Sequence, residues 1–214
     1  MLIRKEHIEN GGLLGIWRIE ESREELLEYF PGNLRQEAIA YTDGIRSPMR
    51  SIEWLSTRAM LFVLLGDDKS IQNHPDGRPY LTDHSYHISL SHTKEYAALL
   101  LHDSLPVGID IEARSERVKK VASKFISEEE YIDPSRKVIH QLLHWSAKES
   151  LFKLINRQGV DFKEHLRVRP FTPGDNGTIM ATETGGETPR AHLLHYEVHD
   201  HYVLTWVVGG GTPE

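Results

Sequence analysis

Val107-Gly108-Ile109-Asp110-Ile111-Glu112 alternates strictly, with Val107, Ile109 and Ile111 on one side of an extended chain and Asp110 and Glu112 on the other. The pattern predicts a strand whose isoleucines face a core. Two further strands precede it. Tyr86, Ile88 and Leu90 alternate with His87 and Ser89, and residues 96–102 form a more continuous apolar run. The connections at 91–95 and 103–106 are short and polar, so the three strands read as an antiparallel meander.

Outward from this meander the periodicity changes. On the N-terminal side, residues 12–20 read as a first strand, followed by a capping box, Ser22-Arg23-Glu24-Glu25, that opens a helix ending at Pro31-Gly32. A short helix is expected over 34–41. A stronger one is expected over 51–65, where Ile52, Leu55, Ala59, Phe62 and Val63 share one face and Gly66-Asp67-Asp68 closes the run. Residues 74–79 (HPDGRP) form a turn or extended loop. On the C-terminal side, Ser127-Glu128-Glu129-Glu130 reads as a second capping box and a solvated helix start, and residues 138–156 as the longest helix. Strands follow near 166–171, 178–181, 191–199 and 202–208, with a mobile loop at 182–190 and a mobile tail at 209–214. This order predicts an α+β fold of two similar halves, residues 1–105 and 106–214, each an antiparallel sheet packed with helices.

Composition narrows the function. Of 214 residues, 39% are hydrophobic and 27% charged, which suits a folded globular chain rather than disordered, collagen-like or coiled-coil sequence. The absence of cysteine excludes disulfides, thiolate zinc sites and a thiol nucleophile. With 25 basic and 32 acidic residues the formal charge is −7, a poor match to nucleic acid, whose affinity comes from clustered Lys and Arg. The start, Met1-Leu2-Ile3-Arg4-Lys5-Glu6, turns charged at once, unlike a signal peptide. The longest apolar runs fall well short of the roughly 20 residues a membrane span takes. A cytoplasmic protein with no membrane or nucleic-acid partner is expected.

Three stretches carry chemistry. Asp110 and Glu112, about 7 Å apart along one strand face, suit a hard cation such as Mg²⁺, or else a solvated polar face. On the long helix, Trp145-Ser146-Ala147-Lys148-Glu149-Ser150 is followed by Lys153. Glu149 and Lys153 are either an ordinary i,i+4 pair or a metal ligand or general base beside a phosphate contact, with Lys148 as a second such contact. Ser89, Ser91 and His92, leaving a strand into a turn, suit either turn chemistry or a phosphate. His192, His195, His199 and His201 crowd the last hairpin without a recognised ligand spacing, and no metal site is expected there.

In combination and order, Ile88-Ser89-Leu90-Ser91-His92, Gly108-Ile109-Asp110-Ile111-Glu112 and Trp145-Ser146-Ala147-Lys148-Glu149-Ser150 with Lys153 resemble the signature of the 4′-phosphopantetheinyl transferase superfamily. Asp76-Gly77-Arg78-Pro79 is similar to the family's Gly-Lys-Pro loop with Arg in place of Lys. Phe125-Ile126-Ser127 with Glu130 resembles its Phe-x-Ser-x-x-Glu stretch, and Arg58 falls where members carry a basic residue for coenzyme A phosphate. Thr93 departs from the Ser that often follows Ser-His. The resemblance covers about residues 50–155 and implies the monomeric, pseudo-dimeric type, its halves related by a pseudo-twofold with the active site in the cleft between them. It implies a holo-carrier-protein synthase type of enzyme, moving the phosphopantetheine arm of coenzyme A onto a serine of an acyl- or peptidyl-carrier protein and releasing 3′,5′-ADP. On this resemblance Mg²⁺ is held by Asp110, Glu112 and Glu149. Glu149 and Lys153 are catalytic, and Arg58, Arg78, Ser91, His92, Lys148 and Lys153 hold coenzyme A. Trp145 packs the core and orients its helix. The alternative is a non-catalytic module of the same fold that binds coenzyme A or a carrier protein.

Overall fold

Leu13, Leu14, Ile16 and Trp17 are buried together, which makes their segment a central strand and gives the first half its sheet. In the computed structural model the chain is described for residues 1–9, 11–66 and 69–210. It is an α+β protein of antiparallel sheets and helices, dividing into two units, residues 1–104 and 105–214.

The first unit contains β1 (Leu2–His7), β2 (Leu13–Arg18), α1 (Arg23–Glu28), α2 (Gly32–Asp43), α3 (Pro48–Leu65), β3 (Ile71–Asn73), β4 (Pro79–Leu81), β5 (His87–His92) and β6 (Tyr96–His102). Its sheet runs β1-β2-β6-β5, all antiparallel, and β3 pairs with β4 in a separate two-stranded sheet. The capping box at α1 is present in full: Ser22 Oγ accepts from the Glu25 N–H, and Glu25 returns the bond to the Ser22 N–H. Helix α3 begins three residues before the expected start. Ser47 caps it, Pro48 occupies its first turn, and Gly66, at φ +64°, ends it in the left-handed conformation. Asp67 and Asp68 of the expected stop lie outside the described residues. Leu55, Ala59 and Phe62 bury against Trp17, Leu99 and Leu101, with Ile52 partly buried beside them, whereas Val63, expected on the same face, is exposed.

The second unit contains β7 (Val107–Ala113), two 3₁₀ turns (Glu116–Lys120 and Ala122–Lys124), a third at Pro134–Arg136, α4 (Lys137–Ile155), β8 (Leu166–Val168), β9 (Asn176–Glu183), β10 (Arg190–Val198) and β11 (Tyr202–Val208). Its sheet order is β7-β11-β10-β9-β8, antiparallel throughout. Leu142, Leu143, Ala147 and Leu151 of α4 pack on Ile179, Leu194, Val203 and Val207. Asn156, at φ +51°, closes α4. Residues 211–214 of the expected tail lie outside the described residues.

Three readings are corrected here. The strands of the expected meander do not form one sheet: β5 pairs with β6, but β7 pairs with β11 in the second unit, because alternation marks a strand without naming its partner. No helix starts at Ser127: the chain there is a turn between 3₁₀ segments, although the Ser127 N–H still donates to Glu130 Oε2 at 2.8 Å. Glu130 is buried rather than solvated. Residues 2–7, unassigned in the sequence, form β1. Among the described residues no helix is long and apolar enough to cross a membrane.

Candidate active site

Helix α4 lies on the carboxylate side of β7, and a glycine makes this approach possible. A Cβ at Gly108 would stand 1.9 Å from the Ser150 carbonyl oxygen and 3.2 Å from the Leu154 nitrogen, so any other residue would push the helix away. Gly108, Asp110 and Glu112 share that face by the strand's period of two. The sequence placed the core under the isoleucines and left the carboxylates off it. Val107, Ile109 and Ile111 are indeed buried, but α4 covers the other face, and Asp110 is only 3% exposed.

Under the helix, opposite charges meet. Lys153 donates from Nζ to Asp110 Oδ1 and to the Ile109 carbonyl oxygen, both at 2.9 Å. Trp145 does more than pack: besides contacting the rings of Phe125 and Phe162, its Nε1–H donates to Glu112 Oε1 at 2.7 Å. Glu149 lies one turn before Lys153 and is partly buried. Burial first, then the Asp110 carboxylate, pushes Glu112 up to about 7, and the same two causes bring Glu149 to about 7 with Lys153 opposing them. Both groups therefore gain and lose protons near neutrality.

The donor set suits a hard divalent cation: three carboxylates from a strand and a helix repel one another, and a cation would relieve that repulsion. As the side chains stand, Lys153 and Trp145 take oxygens of Asp110 and Glu112. Among the described residues no group of three His, Asp or Glu is drawn together closely enough to hold a metal. Both glutamates are coupled electrostatically to Asp110, so the residues fit the ion in chemistry without encircling it.

Lys148 is corrected. It is fully buried, and its three N–H bonds go to the Phe125 carbonyl (2.6 Å), Glu130 Oε2 (2.8 Å) and the Phe162 carbonyl (3.1 Å). No donor remains for a phosphate. Glu130 completes the anchor by accepting from the Val168 N–H at 2.8 Å. The pair ties α4 to the 125–130 turn and to β8.

In the first unit, Ser91 and His92 end β5, and His92 Nδ1 lies 3.7 Å from Glu53 on α3. Arg78 is held in its turn by Asp76, which accepts from its Nε at 2.9 Å and from its backbone N–H. Arg58 is buried. Its guanidinium lies 4.1 Å from the centre of the Trp54 ring and donates to Thr57 Oγ1, and burial lowers its pKa to about 10. It lines a cavity of about 430 Å³ with Tyr41, Trp54 and Phe62. Among the hydrogen bonds and ion pairs described, none links Arg58, Arg78 and His92 to one another.

Sequence reasoning passed over Ser146, Ser150 and Thr205, which are wholly buried where α4 meets the sheet. For the two serines the signal was a small residue at successive turns of the helix face above Gly108; Thr205, on β11, had none.

Residues 106–207 match the family model of the 4′-phosphopantetheinyl transferase superfamily. The chain is also 30% identical over 132 residues to the 4′-phosphopantetheinyl transferase gsp of Aneurinibacillus migulanus, an alignment covering 58% of this chain and 55% of that protein. The chain thus spans about half the length of the relative it matches. The resemblance read from the motifs holds: residues 106–207 are similar to the 4′-phosphopantetheinyl transferase superfamily.

Proposed function

We propose that the protein transfers the 4′-phosphopantetheine arm of coenzyme A to a serine hydroxyl of an acyl- or peptidyl-carrier protein, releasing 3′,5′-ADP. The observation that carries this reading is the placement of one ammonium and three carboxylates, from β7 and α4, at a single locus. The reaction breaks one pyrophosphate P–O bond and forms one P–O bond to the serine. It asks the protein mainly to position, to neutralise charge and to take one proton.

Glu149, brought to about 7 by burial and by Asp110, is suited to accept the serine proton near neutral pH. Lys153, already fixed by Asp110 and the Ile109 carbonyl, presents its remaining N–H toward charge developing on the leaving phosphate. Trp145 restrains Glu112 through its indole N–H. A divalent cation, Mg²⁺ in this reading, would be held by Asp110, Glu112 and Glu149 and would neutralise pyrophosphate oxygens. Arg58, Arg78, Ser91 and His92 are assigned to the nucleotide end of coenzyme A. The two units are assigned as halves of the duplicated type, a reading supported by an antiparallel sheet backed by one long helix in each.

The alternative is a non-catalytic module that binds coenzyme A or a carrier protein. Retention of all three carboxylates favours the enzyme. Incubation with purified carrier domains, coenzyme A and Mg²⁺, read by carrier mass, separates the two: the enzyme adds one phosphopantetheine per carrier, and the module binds without adding it.

A further inference from the structure

A short chain of buried hydroxyls joins α4 to the sheet beneath the carboxylates. Thr205 on β11 stands opposite Asp110 in the strand register. Its side chain is wholly buried, as are those of Ser146 and Ser150. Thr205 Oγ1 lies 2.9 Å from Ser146 Oγ and 2.7 Å from Ser150 Oγ. Ser150 Oγ also reaches the Thr205 carbonyl oxygen at 3.0 Å, and Ser146 Oγ approaches the Asp110 carbonyl at 3.4 Å.

Each hydroxyl has one proton to give, and that count orders the chain. Ser150 donates to the Thr205 carbonyl. In the order that makes the three shorter contacts, Thr205 donates to Ser150 Oγ and Ser146 donates to Thr205 Oγ1, and the longer approach of Ser146 Oγ to the Asp110 carbonyl carries no proton.

The chain fixes a position as well as satisfying polar groups. Ser146 and Ser150 are four residues apart and lie on one helix face, bracketing the turn that carries Glu149. Thr205 grips both from the strand partner of Asp110, while Gly108 removes the bulk that would hold the helix off. Apolar contacts of the same shape would keep the helix on the sheet but would let it slide along its axis. Directional bonds of 2.7–3.0 Å do not.

We propose that Thr205 is a positioning residue: acting through Ser146 and Ser150, it sets how Glu149 and Lys153 meet Asp110 and Glu112. The proposal rests on reading these carboxylates as a divalent-cation site.

The test compares Thr205→Val, which keeps the shape and removes the hydroxyl, with Thr205→Ser, which keeps the hydroxyl. Calorimetric titration with Mn²⁺ alone is the first readout, and the kcat and KM of transfer from coenzyme A the second. Thr205→Val is expected to weaken Mn²⁺ binding at least tenfold and to lower kcat at least tenfold with KM for coenzyme A unchanged. Thr205→Ser should stay within about twofold of wild type on both. Should Thr205→Val not fold, the Ser146→Ala/Ser150→Ala double variant carries the same expectation. Wild-type Mn²⁺ affinity in Thr205→Val, whatever its stability, overturns the proposal. So does equal loss in both Thr205 variants, or a wild-type protein that binds no Mn²⁺. A wild type that binds Mn²⁺ with the expected variant order, yet modifies no carrier, contradicts the transferase reading and leaves the positioning role standing.

Discussion

Lys153 sets its ammonium 2.9 Å from Asp110 Oδ1, joining the last turn of α4 to the middle of β7. The Asp110 side chain is nearly all buried, whereas that of Lys153 retains about a quarter of its surface in water. The two partners therefore respond differently to removal. Lys153→Ala leaves a buried carboxylate without its cation and is expected to cost about 1–3 kcal/mol in urea unfolding. Asp110→Asn frees an ammonium that can turn to solvent and is expected to cost less. Equal costs would show that the contact is not the asymmetric pair described.

Glu112 and Glu149 give a pH signature of defined sign. Both are raised from the ordinary carboxylate value to about 7. The folded state thus binds protons that the unfolded state has already released, and the stability this gives is full below about 4.5 and is lost as pH rises through 7. Without divalent cation, Tm should fall between pH 5.5 and 8, and Glu112→Gln should flatten that fall. A cation binds the ionised forms, so added Mg²⁺ should raise Tm more at pH 8 than at pH 6. An equal rise at both pH values would contradict the coupling.

His144 acts in the opposite direction. Its ring is buried, hydrogen-bonded from Nδ1 to the His140 carbonyl and stacked on Phe171, and burial brings its pKa down to about 3. The unfolded chain takes up this proton near 6.5, so stability is full above that value and declines as pH falls toward 3. Replacing His144 with Phe should reduce the acid loss between pH 6.5 and 4. An unchanged slope would assign that loss to other groups, His140 and His192 first, since burial lowers both.

Lys148→Met tests the reassignment of that residue. Removing one member of the buried pair strands Glu130 and should cost about 3–5 kcal/mol. The double variant Lys148→Met/Glu130→Met should recover much of the loss. In the folded double variant, coenzyme A should bind within about twofold of wild type, because Lys148 has no N–H free for a phosphate. A tenfold weaker affinity in that variant would restore Lys148 as a ligand contact.

The sequence was most legible where periodicity is local. The strands around Ile88, Leu99 and Ile109 and the helix through Leu142 and Leu151 follow from side-chain spacing alone. β1 escaped because its pattern runs against its burial: Ile3 points outward at 43% exposed while charged Arg4 and Glu6 are half covered. The Ser127 box misled because the same Ser127–Glu130 bond closes a turn as readily as it caps a helix. Glu130 is drawn inward by Lys148, eighteen residues away, which no local pattern reveals. Candidate ligands were visible as residue types. The helix covering their face, the indole N–H on Glu112 and the Thr205 hydroxyl are contacts between distant segments, set by Gly108 and by packing.

The most direct test of the transferase reading is the mass of a purified carrier protein, taken from a panel of acyl- and peptidyl-carrier domains, after incubation with coenzyme A, Mg²⁺ and either wild-type protein or Glu149→Gln. The wild type should add one phosphopantetheine arm to at least one carrier. Glu149→Gln, folded and binding coenzyme A, should do so about 10²–10⁴-fold more slowly. A wild-type protein that binds coenzyme A yet leaves every carrier at its original mass, or a Glu149→Gln variant as fast as wild type, would contradict the account.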